Sequence, residues 1–497
     1  MNRRNLLKSL GILGGSMVLP QLLSGQSIIK AANAANISQR SLINARATIL
    51  GEIEYSIPSV MPQVINIFLY GGPSELAGNL TNIEDINANS QNAYNADLLP
   101  GANNTRVTAN NFWSGAGGEI MERMVAKGRM SVYRTINREI DDSKAHRSSI
   151  FSNLTAMVGE DDLRPGIATN LAIVLAASNA IKEDAIFPFV TFEGESVVFN
   201  QGDSSLPLHL KPISLNRNLS NPYTRGNNSA FRTDSSQESI IEQLAQATMK
   251  STQEKYGKVA AAFEKRIEID EFVDRLEANL STDALPNNPD FIDGSNDIDK
   301  RDQTLVYPNN GFGPRLKAAI TLAQNNNDSL FISLGNEGLG GWDDHNSALD
   351  DYPPRMANLM RSLEVAAQHL EAIGKSNVVI NVFGDFGRNV NLNNSLGWDH
   401  GNNQNLFTVS ASSSAGAGIA GREMGKIVGK TKRIGTTKQN RQFTSPTDDS
   451  YQAEPFAIGS TIYKYFGIQN PEVLTGGIDP IDETGTPNEW VDPGIMS

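Results

Sequence analysis

Apolar residues follow two rhythms along this chain. Short runs of branched and aromatic residues predict buried strands at 64–70, 130–136, 185–192, 329–334, 377–383 and 406–410. Between them, apolar positions recurring every three or four residues predict helices at 118–127, 168–180, 314–324, 354–373 and 456–466. The first run stops at Gly71-Gly72-Pro73-Ser74, as a buried parallel strand ends in a loop. Alternation of apolar strands with helices predicts an α/β three-layer fold with a mostly parallel central sheet. In such sheets ligands sit beyond the carboxyl ends of the strands, so those loops are where chemistry is expected.

Polar excursions interrupt the pattern. Residues 79–111 are rich in Asn and read as turns and loops. Residues 235–281 are rich in Glu, Lys, Ala and Gln, with Ile240, Leu244, Met249, Phe263, Ile267, Phe272 and Leu276 at helical spacing. They predict a helical segment within an insertion spanning about 195–310, with 286–302 as its exit linker. The organisation expected is a signal at 1–34, a linker at 35–60, one large domain at 61–480 and a tail at 481–497.

The front of the chain changes the picture of where it works. Arg3-Arg4, then Leu6-Leu7-Lys8, a modest apolar run softened by Gly11, Gly14 and Gly15, and Ala32-Asn33-Ala34 resemble a twin-arginine export signal. The expectation is a periplasmic or secreted protein whose partner during export is the twin-arginine translocase. The apolar run is too short for a permanent membrane span of about 20 residues. The 497 residues carry a formal charge of −13 and no cysteine. An acidic body lacks the clustered Lys and Arg that phosphate backbones need, which excludes nucleic acid as a partner. Without cysteine there is no disulfide, thiolate ligand or thiol nucleophile.

Three predicted strand-end loops carry one kind of residue. They read Gly340-Gly341-Trp342-Asp343-Asp344-His345, then Gly384-Asp385-Phe386-Gly387-Arg388, then Gly397-Trp398-Asp399-His400-Gly401. Only five histidines exist, and two stand beside Asp in these loops. Carboxylate oxygen and neutral imidazole suit a divalent cation, whether Zn, Mn, Mg or Ca; turn formation and capping account for the same residues. Glycine lets the backbone turn sharply there, and Trp342 and Trp398 can wedge the loops against the sheet. Gly416-Ala417-Gly418-Ile419-Ala420-Gly421 matches a dinucleotide-binding pattern, but no strand–helix–strand unit surrounds it.

Taken together, these motifs resemble a bacterial family called domain of unknown function 1501, placed in the alkaline phosphatase and sulfatase superfamily. Phe68 to Ser74, Gly340 to Ser410, the loop 416–429 and the stretch ending at Ile468 carry the resemblance. It implies an alkaline phosphatase-like fold and a metal site drawn from Asp343, His345, Asp385, Asp399 and His400. The superfamily holds one ion with an Asp, a His and a later His, which here are similar to Asp343, His345 and His400. A second ion there uses an Asp-His pair and an Asp after the first strand. Here Phe386 follows Asp385, so one ligand is missing or is supplied by Asp399, and Ser74 or Glu75 would have to replace the missing Asp. The nucleophile implied is a hydroxyl at a helix start, sought at Ser148 and Ser149 beside His146, with Arg388 or Arg147 as anion clamp. The function expected is hydrolysis of a phosphate or sulfate ester of a small molecule or polysaccharide. The alternative is a catalytically degenerate member serving as an exported binding or assembly protein.

Overall fold

A computed structural model describes residues 52–80, 108–220, 268–280, 306–412, 424–434 and 443–482, apart from isolated positions. The signal at 1–34, most of the helical segment at 235–281, the glycine-rich stretch 416–421 and residues 483–497 lie outside the described residues.

Eight strands form one sheet in the order β10-β2-β9-β6-β1-β5-β3-β4. They are β1 Gln63–Leu69, β2 Met130–Asn137, β3 Phe189–Thr191, β4 Ile213–Ser214, β5 Phe331–Leu334, β6 Val378–Gly384, β9 Asn403–Val409 and β10 Ile427–Val428. At its centre β1 pairs in parallel with both β5 and β6, with Val64 opposite Phe331 on one side and Val379 on the other. Every residue of β1 is buried, as a strand covered on both faces requires. Alternate residues serve opposite cores. Ile65 and Ile67 pack into a cluster with Met121 of helix α1 (Gly118–Ala126), Leu316 of α4 (Phe312–Asn325) and Leu363 of α5 (Ala348–Ala372). Val64 and Phe68 face Leu154 of α2 (His146–Thr155), Leu171 of α3 (Ile167–Ala177) and Ile462 of α6 (Ala457–Tyr465). The result is the mixed α/β, three-layer arrangement with a mostly parallel sheet.

Two features were not in the periodicity. Strand β9 runs antiparallel to both β6 and β2. After β6 reaches the carboxyl edge, the chain folds into a hairpin of β7 (Gly387–Leu392) and β8 (Trp398–Gly401) standing there. It must descend from that hairpin, so β9 returns against the direction of β6. Helix α5 also starts at Ala348, ahead of Pro353 and Pro354, which lie inside it. No helix among the described residues is long and apolar enough to cross a membrane.

Candidate metal centre

Four elements converge at the carboxyl edge of the sheet. The loop after β5 brings Asp343 and His345, the turn after β6 brings Asp385, the hairpin brings Arg388, Asp399 and His400, and the start of α2 brings His146. Arg388 of β7 and His400 of β8 are cross-strand partners. Trp342 and Trp398 are fully buried, and both rings pack against Tyr352 of α5, at 5.8 and 5.2 Å between centroids. The indoles thereby anchor the two Trp-Asp loops to the helix layer, while the Asp343 and Asp399 side chains remain half exposed.

Each histidine is oriented by an acceptor behind it. His146 Nδ1 lies 2.7 Å from Asp385 Oδ2, His400 Nδ1 lies 2.6 Å from the Lys144 carbonyl, and His345 Nδ1 lies 3.3 Å from Asp399 Oδ1. A carbonyl can only accept, so His400 Nδ1 carries the hydrogen and its Nε2 presents a lone pair. The same reasoning gives the neutral form of His146 a lone pair at Nε2, whereas His345 Nε2 donates to the His400 lone pair and would give up that hydrogen to an ion. Those three atoms and Asp343 Oδ1 face one another. His345 Nε2 is 3.0 Å from His400 Nε2 and 3.1 Å from Asp343 Oδ1, while His146 Nε2 and His400 Nε2 lie 3.4 and 3.7 Å from that oxygen. A tetrahedral ion with bonds of about 2.0–2.1 Å has ligands roughly 3.3–3.4 Å apart. His146 Nε2 is buried and makes no hydrogen bond, the state of an imidazole nitrogen left for a ligand. Among the described residues, the ligand atoms of His146, Asp343 and His400 all lie within 4.8 Å of one another.

Electrostatics favour a cation at that point. Burial and the nearby Arg388 charge lower His400 to about 4, so its imidazole is neutral at ordinary pH. Burial alone would raise the Asp343 carboxyl, but Arg388 and the histidines outweigh it and hold the carboxyl below its usual range. The hydrogen bond that His146 donates to Asp385 raises His146, and burial raises Asp385 in turn. Asp343, Asp385 and Asp399 stand against Arg388, with the Arg138 guanidinium paired to Asp141, so an excess of negative charge remains for a divalent ion to balance.

The residues expected from the sequence are thus brought to one place, in different positions within it. Asp343, His345 and His400 point donor atoms at the common centre. Asp385 and Asp399 stand behind His146 and His345, where a carboxylate orients a ligand. His146, sought as a catalytic group, presents a donor to the centre. The Arg388 side chain has no exposed surface and bonds the carbonyls of Gly71, Gly72, Trp342 and Trp398 as well as Asp343. Ser149 is fully buried and its hydroxyl donates to the Ser143 carbonyl, while Ser148 is half-buried on the first turn of α2. Ser74 caps the short helical turn Glu75–Gly78, and Glu75 is buried against Thr444. Asn153 and Arg138 went unremarked in the sequence. Asn153 Nδ2 donates to the Gly384 and Asp385 carbonyls at 2.8 Å each, and Arg138 braces both Asn153 and Asp385, so they fix the turn that carries Asp385.

Family membership agrees with the motifs. The model of the family described as protein of unknown function DUF1501 matches residues 61–448. The chain belongs to that family. No curated protein matches it. Among solved structures it is similar to Ps i-CgsB, in complex with k-i-k-neocarrahexaose, at 10% identity and a TM-score of 0.36, covering 83% of this chain and 74% of that one. It is also similar to the C-terminal periplasmic domain of EcEptC from Escherichia coli, in complex with Zn, at 8% identity and a TM-score of 0.34, covering 89% and 94%. Alkaline phosphatase from the Antarctic bacterium TAB5 is 11% identical with a TM-score of 0.27, covering 71% and 92%. These neighbours are of alkaline phosphatase and sulfatase type, and at such scores the likeness carries no functional inference.

Proposed function

We propose that this DUF1501 protein is an exported, metal-dependent hydrolase of phosphate or sulfate esters, with a small-molecule or polysaccharide ester as substrate. One observation carries the reading: three imidazoles, two of them held by a hydrogen bond at Nδ1, turn Nε2 toward one carboxylate oxygen at ligand spacing. His146, His345, His400 and Asp343 would hold a divalent cation there, which would supply polarisation of ester oxygens and a lowered pKa for a bound water. The chain's own part is positional. Asp385 holds His146, the Lys144 carbonyl holds His400, Asp399 holds His345, and half-exposed Asp343 leaves the centre open to an incoming ester. Ser149 is fully buried and donates its hydroxyl to the Ser143 carbonyl, which supports water as the attacking group ahead of that hydroxyl. Export through the twin-arginine translocase belongs to the same proposal and rests on residues 1–34.

The test combines metal analysis of the full chain purified without chelators with a screen of aryl phosphates and aryl sulfates. Bound divalent metal with turnover that His345→Ala abolishes is expected. Metal without turnover of any ester would instead favour an exported binding protein built on the same centre.

A further inference from the structure

The turn after β1 and the side chain of Arg388 share one small volume beside the metal centre. Arg388 is among the largest fully buried side chains, and all three of its guanidinium nitrogens are engaged by the protein. It reaches Asp343 Oδ1 at 2.6 Å, the same oxygen that faces the three histidines. Around it the space is filled. The Phe386 ring lies 4.3 Å from the His400 ring and 4.8 Å from that of His146. Gly71 and Gly72 have φ of +115° and +74°; a Cβ on Gly71 would fall 2.5 Å from the Asp343 amide nitrogen, and one on Gly72 2.6 Å from the Phe386 ring. No side chain donor fits at either position.

The donors left over are too few for another ion. Asp385 Oδ2 is taken by His146 and by the Gly71 amide at 3.2 Å, and Asp343 Oδ1 is shared with Arg388. Of the two Asp385 oxygens Oδ1 is the one without a partner, and Glu75, the other acid near the β1 turn, is turned to Thr444. One oxygen does not make a site for a divalent cation, which takes four or more ligands. The second metal that the superfamily resemblance implies therefore does not fit these residues.

We infer that Arg388 is the built-in second cation of this centre, so the chain holds one divalent ion and supplies the other positive charge as a guanidinium. The inference rests on the metal-centre reading. It makes Arg388 a positioning residue: it fixes Asp343, ties the β5 and β1 loops to the β7–β8 hairpin, and is too deeply buried to meet a substrate anion.

The experiment is a metal count and a spectrum on the full chain loaded with Mn(II) and freed of excess ion by gel filtration. One manganese per chain, with the hyperfine pattern of an isolated ion, is expected. Two per chain, or an exchange-coupled spectrum, overturns the inference while leaving the metal-centre reading intact; no bound manganese overturns both. One bound ion without ester turnover upholds the inference and defeats the hydrolase reading alone. Phe386→His supplies the missing imidazole while keeping Arg388, exchanging one ring beside the guanidinium for another. The count should stay at one, and a rise to two would show that Phe386, not Arg388, closes the second position.

Discussion

The two halves of the centre are built on opposite principles. On the outer half, Asp343 and His345 are about half exposed, and their donor atoms face one another and His400 across the centre, with Arg388 behind Asp343. On the inner half, Asp385, Arg388 and Phe386 are buried and locked to backbone carbonyls, an amide and one another. Donors that must exchange a proton or solvent for an ion stay accessible, whereas groups that only fix geometry are packed away from water. A buried, bonded charge is costly to disturb and therefore a good strut. A half-exposed one is a poor strut and a good ligand.

That contrast is broken most severely by removing an outer donor. His400→Ala and His345→Ala, made singly, should each abolish stoichiometric metal binding, measured by metal analysis after gel filtration, with the fold retained by circular dichroism. Full stoichiometry in both variants would leave the centre without its ligands. Asp385→Asn tests the strut behind His146 and should act more mildly. Losing an orienting carboxylate costs about 10–100-fold in metal affinity, because the imidazole is still present but no longer held. Titration calorimetry with Zn or Mn decides it, and a loss as complete as that of His400→Ala would make Asp385 a ligand instead.

The inner half also predicts a pH dependence. Glu75 lies fully buried beneath β7 and accepts a hydrogen bond from Thr444; burial raises its carboxyl to about 7. A carboxyl whose folded pKa exceeds its unfolded value contributes stability that is fully present below about 4.5 and is lost as pH rises through about 7. The amount is on the order of 3 kcal/mol. Glu75→Gln cannot ionise, so its Tm relative to the parent chain should improve between pH 5 and pH 8.5. A Tm difference that does not change with pH would mean that Glu75 is solvated.

Much of this was legible in the chain, and what was hidden has physical reasons. β1 and β6 announce themselves because buried parallel strands are unbroken apolar runs, and the glycine-bounded Asp and His loops fall at strand ends as the sheet rule requires. The β7–β8 hairpin was hidden because Gly387–Leu392 alternates Asn with apolar residues and reads as loop. The strand expected at 185–192 shrinks to Phe189–Thr191, with Phe187 at positive φ breaking the extended run. Roles within the centre were the least legible. Asp343 and Asp385 are the same residue type in similar loops, and only the direction of their oxygens makes one a donor and the other a strut. His146 is distant in sequence and joins because α2 starts at the same edge of the sheet.

The smallest expected effect sharpens the comparison from outside it. Arg147 is the neighbour of His146 in sequence, and on sequence alone it is as good an anion clamp as Arg388. Its side chain, however, is 63% exposed and engages Glu160 and Asp162. An exposed pair of this kind is screened by water and salt and holds little in place. The two carboxylates also surround the guanidinium with the wrong charge for a phosphate or sulfate. Arg147→Ala should therefore leave bound metal, Tm and the KM for any anionic ester found in the screen unchanged. Raising the salt concentration should not separate the variant from the parent chain. A rise in KM that disappears at high salt would show Arg147 leaving its acidic partners to meet the substrate, and the outer half of the centre would then extend onto the exposed face of α2.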